Sequence, residues 1–339
     1  MDALQSIGVF AAQTFLVLFA IIAVILVIAM IAAKAGHKPE VEVELLHKKY
    51  KTFRNLLKAH TITKSERKEL KKKLKEERKA QEGKPSGHEK KIFVVDFDGD
   101  VKASAVENLR EEITAVLTIA TPEDEVVVRV ESPGGVVHGY GLAASQLMRV
   151  RNKNIPLTVC VDKVAASGGY MMAVTASKIL CAPFAIVGSI GVVAQIPNLH
   201  RVLKKHDVDY KEYTAGEYKR TVSLLGEITP KGEEKFKQQL EETHDLFKGF
   251  VSKFRPQLNL AEVATGEYWY GETAITKGLV DEIQTSDDYL MNLAEKHQVI
   301  KVTFEQKASI SDKLTGILGK AIRKGGASLV EDLETRRFL

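Results

Sequence analysis

The chain of 339 residues carries 49 Lys and Arg against 44 Asp and Glu, a formal net charge of +5, and its 45% hydrophobic content is that of a globular protein with a sizeable core rather than of a disordered chain. The two cysteines, Cys160 and Cys181, stand at no metal-ligand spacing, so neither a zinc site nor a disulfide framework is indicated. Residues 34–91 hold 19 Lys or Arg and 9 Glu, a net of +10, which leaves about −5 for everything else; the basic balance belongs to one segment and says nothing about the folded domain.

Residues 7–33 contain no charged side chain, and only Gln13 and Thr14 interrupt a run of Val, Leu, Ile, Phe, Met and Ala. At about 1.5 Å per residue in a helix, such a run exceeds the roughly 20 residues needed to cross the hydrocarbon core. A cleaved signal peptide fits less well, because the run is long and is preceded by Asp2 with no Lys or Arg. The expectation is a retained single-pass anchor over 1–33 in contact with the lipid bilayer.

Residues 34–90 read as a basic helical stalk. Leu45, Leu46, Tyr50, Phe53, Leu56 and Leu57 recur at helical spacing, and the K-E-L-K-K-K-L-K cluster beyond them has the composition of a solvated helix face. Attraction to anionic headgroups is a lesser reading of that cluster, and no nucleic-acid-binding fold accompanies the charge. The G-K-P-S-G stretch at 83–87 marks the boundary with a globular domain over 91–290, followed by an extension over 291–339.

From Lys91 the pattern alternates: strand 92–97, amphipathic helix 104–120, strand 125–131, helix 139–151, strand 157–161, then an apolar helix over 169–179. Alternation of this kind predicts an α/β fold with parallel strands and crossover helices, whose ligands gather at the carboxyl ends of the strands. Two glycine turns fall there, Ser132-Pro133-Gly134-Gly135 and Ser167-Gly168-Gly169. A serine between strand and helix is presented rather than packed, and the first helical amides can point at an anionic oxygen. Taken alone, Ser167 would more simply be a helix N-cap. Further on, Thr229 and Pro230 mark the start of a long helix to Arg255, read as a packing or subunit-contact helix, and 299–304 reads as a strand. No function follows from the pattern of the basic amphipathic end, 314–339.

The E-S-P-G-G-V-V turn at 131–137, V-A-A-S-G-G-Y at 164–170, G-S-I-G-V at 188–192, G-E-Y-K at 216–219 and A-T-G-E-Y-W-Y-G-E-T-A-I-T-K-G-L-V-D-E-I at 264–283 together resemble the S49 family of serine peptidases, the signal peptide peptidase A group, in its form with a single short catalytic unit. Each motif alone is weak; five in order over 91–285 are specific. The chain departs from the family at Glu131, where Asn commonly precedes S-P-G-G. The resemblance implies a Clp/crotonase-like fold, Ser167 as nucleophile and Lys219 as general base. It also implies peptide or protein substrates, such as signal peptide remnants or misfolded exported proteins, and a ring-shaped homo-oligomer in which the lysine can cross a subunit boundary.

Chemistry constrains the same choice. No His lies between Gly168 and Leu199, and His138 and His200 have no arguable carboxylate partner. A lysine serves as base only when neutral, which requires burial or nearby positive charge to lower an ordinary pKa of about 10.4; Ser-Lys dyads are a known variant of the triad. Ser189 is a candidate for orienting the lysine amine, with a plain turn serine as its equal alternative. The oxyanion hole would come from the amides of Gly168 and of Gly134 or Gly135. No metal or cofactor enters such a mechanism. Two rivals stay open, a crotonase-like acyl-CoA enzyme and a catalytically silent membrane scaffold. Placement is in conflict. Lys34, Lys38, Lys48 and Lys49 follow the apolar run and favour a cytoplasmic domain, whereas the resemblance implies a bacterial inner-membrane protein with its catalytic domain in the periplasm, and that placement is followed here.

Overall fold

The computed structural model describes residues 15, 16, 18, 19, 40–81 and 90–305. Most of the apolar run 7–33, and the tail from 306, therefore lie outside the described residues. Among those described, no helix is long and apolar enough to cross a membrane.

Strands β1 (Glu40–Leu45), β2 (Lys91–Asp98), β3 (Glu125–Glu131), β4 (Leu157–Val161), β6 (Lys178–Cys181), β9 (Glu282–Ile283) and β10 (Gln298–Glu305) form one sheet in the order β1-β10-β2-β3-β4-β6-β9. The pairs from β10 through β9 are parallel. Val126, Val127 and Val128 in β3 and all five residues of β4 are buried, as expected where helices cover both faces of a parallel sheet. Phe93, Val95 and Phe97 of β2 face one core, with α3 (Val106–Leu117), α4 (Val137–Asn152) and α5 (Gly168–Ala173); Ile92 and Val94 face a second, smaller core with Val127, Cys160, Leu180 and Leu290.

The second core corrects the reading of 34–90 as stalk. Within that stretch, β1 joins the sheet, and α1 (Leu46–Thr61) buries Leu46 and half-buries Tyr50 against α10 (Ser286–Leu293). The His47 ring donates to the Val299 carbonyl at 3.0 Å, and Arg54 meets Glu295 at 3.4 Å. Only the start of the apolar stripe is used, since Phe53, Leu56 and Leu57 stay exposed. The charged helix α2 (Lys64–Gln81) begins at a capping box, in which Glu66 accepts from the Thr63 amide at 2.8 Å and Thr63 Oγ1 from the Glu66 amide.

A second sheet of three strands carries the glycine turns. It consists of β5 (Val164–Ala166), β7 (Ile186–Gly188) and β8 (Tyr268–Tyr270), with β5 and β7 parallel and β8 antiparallel to β7. The short β5 breaks in before Ser167, and α5 ends at Ala173 rather than near 179, because the chain from Lys178 re-enters the main sheet as β6. An apolar run buried on all sides does not distinguish helix from strand by period.

Two more helices complete the frame. Helix α7 (Pro230–Phe254) starts where Thr229 Oγ1 accepts from the Gly232 amide at 3.1 Å, and it ends at buried Arg255, whose guanidinium forks onto Asp281 at 2.8 and 2.9 Å. Asp281 also accepts from the Ile179 amide at 2.7 Å, so the end of the G-L-V-D motif pins β6 to α7. Besides the short helices α6 (His200–Lys205), α8 (Leu260–Val263) and α9 (Gly271–Thr276), the chain from 206 to 229 has no regular element.

Candidate active site

Ser167 follows β5 with φ +50° and ψ −115°, a conformation that costs a non-glycine residue about 1–3 kcal/mol. Its amide donates to the Gly188 carbonyl at 2.8 Å, and its own carbonyl accepts from the Met171 amide at 2.9 Å, which holds the strained turn in place. Although Ser167 stands at the N-cap of α5, its hydroxyl makes no capping bond. It is half-buried, between Ala166 and Gly168, which are buried. The capping role that would have explained the serine most simply is thus unfilled.

Ala166 and Gly188 are partners in the β5–β7 register, so Ser167 and Ser189 leave neighbouring parallel strands at the same level. Ser189 also has a positive φ, +52°, and its amide donates to the Glu267 carbonyl at 2.7 Å. Gly266 at φ +88° and Gly191 pack together behind it, and Trp269 lies against Gly188, which is what the A-T-G-E-Y-W-Y motif contributes.

The Ser132–Gly135 turn closes the other side. Ser132 donates its amide to Val164 and accepts from Ala166, stitching the turn to β5. Gly134 has φ +87°, and a Cβ there would come within 2.7 Å of Ser167 Cβ and 2.8 Å of the Gly168 nitrogen, so no side chain fits. Its amide donates to Ser132 Oγ at 3.1 Å. The amides of Gly135 and Gly168 have no acceptor among the described residues. Glu131, the departure from the family pattern, pairs with Lys163 at the surface at 2.9 Å and does not enter the turn.

Lys219 is elsewhere in the geometry. Its amide closes a turn onto the Gly216 carbonyl at 3.1 Å, but its side chain is exposed and bonds to no described residue, Ser167 and Ser189 included. Charges beside it are paired off, Glu217 with Lys231 and Glu212 with Arg220, while Tyr218 lies under the Lys231 and Lys235 ammonium groups at 5.9 and 5.6 Å. The structure therefore gathers Ser167, Ser189, Gly134, Gly135 and Gly168, and leaves Lys219 apart. His138 is exposed and His200 half-buried, and no side-chain hydrogen bond links either to these serines. His244 of α7, which no motif flags, bonds the Ile190 carbonyl at 3.1 Å and braces the turn after Ser189. An open pocket of about 480 Å³ at the carboxyl ends of β2, β3 and β4, lined by Asp98, Glu131, Asp162 and Lys163, includes none of the site residues.

Models of known families match nearly the whole chain, peptidase family S49 N-terminal over residues 2–147 and peptidase family S49 over 149–300. The chain belongs to peptidase family S49. A Haemophilus influenzae relative named "Probable protease SohB" is 47% identical over 99% of this chain and 98% of its own, and one from Buchnera aphidicola of Schizaphis graminum is 42% identical over 95% and 96%. A solved membrane-bound stomatin-specific protease covers 60% of this chain and 84% of its own at 15% identity and a TM-score of 0.38, too distant a likeness to carry an argument. S49 membership makes the protein a peptidase.

Proposed function

We propose that this S49 peptidase is a membrane-anchored serine endopeptidase in which Ser167 attacks the scissile carbonyl, Lys219 takes and returns the proton, Ser189 orients the lysine amine, and the amides of Gly135 and Gly168 receive the oxyanion. The observation that carries the reading is Ser167 itself, strained, uncapped, followed by the unpaired Gly168 amide and packed against Gly134 of the neighbouring glycine turn. Of the three glycines expected at the oxyanion, Gly134 contributes its backbone shape, its own amide being engaged by Ser132. Acylation joins Ser167 Oγ to the carbonyl carbon as its proton passes to the neutral lysine, then on to the leaving amine; water repeats the sequence to release the acid.

A lysine in water holds a proton near neutral pH and cannot accept another, so the dyad requires Lys219 to be desolvated against the serines. We propose that a second copy of the chain does this within a homo-oligomer. In support, the segment that bears Lys219 exposes Val193, Val202, Val208 and Tyr213, apolar side chains that a monomer would leave in water. The Clp/crotonase-like arrangement, the anchor over 7–33 in a bacterial inner membrane, a periplasmic catalytic domain and substrates such as signal peptide remnants or misfolded exported proteins complete the proposal. Mixing Ser167→Ala protein with Lys219→Ala protein tests it. Each alone is inactive, and the mixture regains peptide hydrolysis; active Ser167→Ala protein refutes the mechanism, and a mixture that stays inactive after subunit exchange refutes base supply by the second copy.

A further inference from the structure

We propose that Tyr140 is a positioning residue that holds both donors of the oxyanion site, a role that rests on the assignment of Ser167 as nucleophile. Tyr140 sits in the first turn of α4 and is fully buried. Its hydroxyl donates to the Asp100 carbonyl at 2.7 Å and also meets Ser132 Oγ in a very short hydrogen bond, while Ser132 Oγ accepts from the Gly134 amide at 3.1 Å. A carbonyl only accepts and an amide only donates, so the two ends leave one proton order: Gly134 N–H to Ser132 Oγ, Ser132 O–H to Tyr140 Oη, and Tyr140 O–H to the Asp100 carbonyl. Every hydroxyl in the chain is used once as donor, and successive bonds polarise each other. The Gly134 peptide is thereby held in its φ +87° turn against Ser167, with the unpaired Gly135 amide next in the chain.

The ring acts on the other donor. A Cβ on Gly168 would lie 2.3 Å from Tyr140 Cγ and 2.7 Å from Tyr140 Cβ, so the ring is packed directly behind the residue that supplies the second amide. Phe97 meets the same ring edge-on at 6.2 Å, and Gly99 leaves just enough room for the hydroxyl pair, since a Cβ there would be 2.6 Å from Tyr140 Oη and 2.7 Å from Ser132 Oγ. One buried side chain thus touches the two strand-to-helix turns that the chemistry needs to hold in register. Burial pushes the phenol pKa up, which keeps the proton on the oxygen that must donate it.

Tyr140→Phe keeps the ring and deletes the link between Ser132 and Asp100; Ser132→Ala deletes the link to Gly134. Removing a whole oxyanion donor costs about 10²- to 10³-fold in kcat, and loosening one is expected to cost roughly 10-fold. The measurements are kcat and KM on an internally quenched peptide, and inhibition by a peptide aldehyde, whose hemiacetal oxygen occupies the oxyanion position. Expected for both variants are a kcat about 10-fold lower, a KM little changed, aldehyde affinity falling in step with kcat, and a double variant no worse than the poorer single one. A lower melting temperature with kcat and aldehyde affinity at parental values overturns the proposal. Should Tyr140→Phe fail to accumulate, Ser132→Ala, which removes one oxygen, decides alone by the same criteria. Ser167→Ala separates the two readings: if it still cleaves, the nucleophile assignment fails, whereas a dead Ser167→Ala beside a kinetically normal Tyr140→Phe sinks only the role given to Tyr140.

Discussion

Between residues 132 and 191, turn is tied to turn by backbone hydrogen bonds and the glycines of the turns are pressed to contact against carbonyls and rings; from 192 to 229 the chain folds mainly on itself, with Asn198 bridging the Ser223 and Gly226 carbonyls, and most of its side chains are exposed, Tyr213 at 89%. The first region holds the serines and the second holds Lys219. In the proposed mechanism the nucleophile and its oxyanion donors need ångström placement before substrate arrives, which the tightly bonded first region suits. The segment with Lys219 has apolar surface to bury, and under the proposed mechanism that burial is what would make the lysine a base.

The largest expected effect on the first region comes from its support. Asp281→Ala leaves the Arg255 guanidinium buried without its carboxylate, and urea unfolding is expected to register a loss of about 3 kcal/mol or more. Equal stability would show that the clamp between α7 and β6 contributes little. Next comes a pair of glycines, one in each region, both at positive φ. Gly134→Ala forces a methyl onto Ser167 and should lower kcat about 100-fold, whereas Gly216→Ala, with nothing within 4 Å of its Cβ, carries backbone strain alone and should cost about 1 kcal/mol of stability. Equal kinetic damage from the two would erase the contrast between the regions.

The smallest effect concerns pH. Burial works to raise the Glu125 carboxyl, but hydrogen bonds from Lys90, Tyr289 and Thr158 outweigh it and hold the group below its usual range. A depressed folded-state pKa contributes stability above the unfolded value of about 4.3, and that stability is lost as pH falls through the folded value. Glu125→Gln is therefore expected to flatten the acid limb of the urea midpoint below about pH 4.5. Within 192–229, the hydrogen bond from Lys231 also lowers the Glu217 carboxyl, yet the pair is exposed, so Glu217→Gln should leave the limb as it is. A limb altered equally by both substitutions would contradict the difference in burial.

Much of the sheet, the long helix and the glycine turns was legible in the sequence because their determinants are local. The 125–131 strand coincides with β3, Thr229 and Pro230 mark the start of α7, and glycines at 134, 135 and 168 announce turns that admit no side chain. Where burial is complete, period fails, and so β5 and the break between α5 and β6 were hidden inside one apolar run. The packing of Leu46 and Tyr50 was missed because the surrounding lysines and glutamates outnumber them. Ser132 was visible only as a member of its glycine turn, and Tyr140 carried no signal, because their contact joins a turn to the start of a helix and no single period spans the two. Lys219 was singled out by the G-E-Y-K resemblance alone, and nothing in its own sequence neighbourhood says what should bury it.

The central claim is that Ser167 is a nucleophile that becomes reactive when Lys219 is present to take its proton. Fluorophosphonate labelling of the full chain in membranes, followed by mass spectrometry of the labelled peptide, tests it most directly. The account predicts one adduct, on Ser167, absent from Ser167→Ala and reduced at least about 100-fold in rate by Lys219→Ala. An adduct on another serine, or labelling of Ser167 that ignores the loss of Lys219, would contradict it.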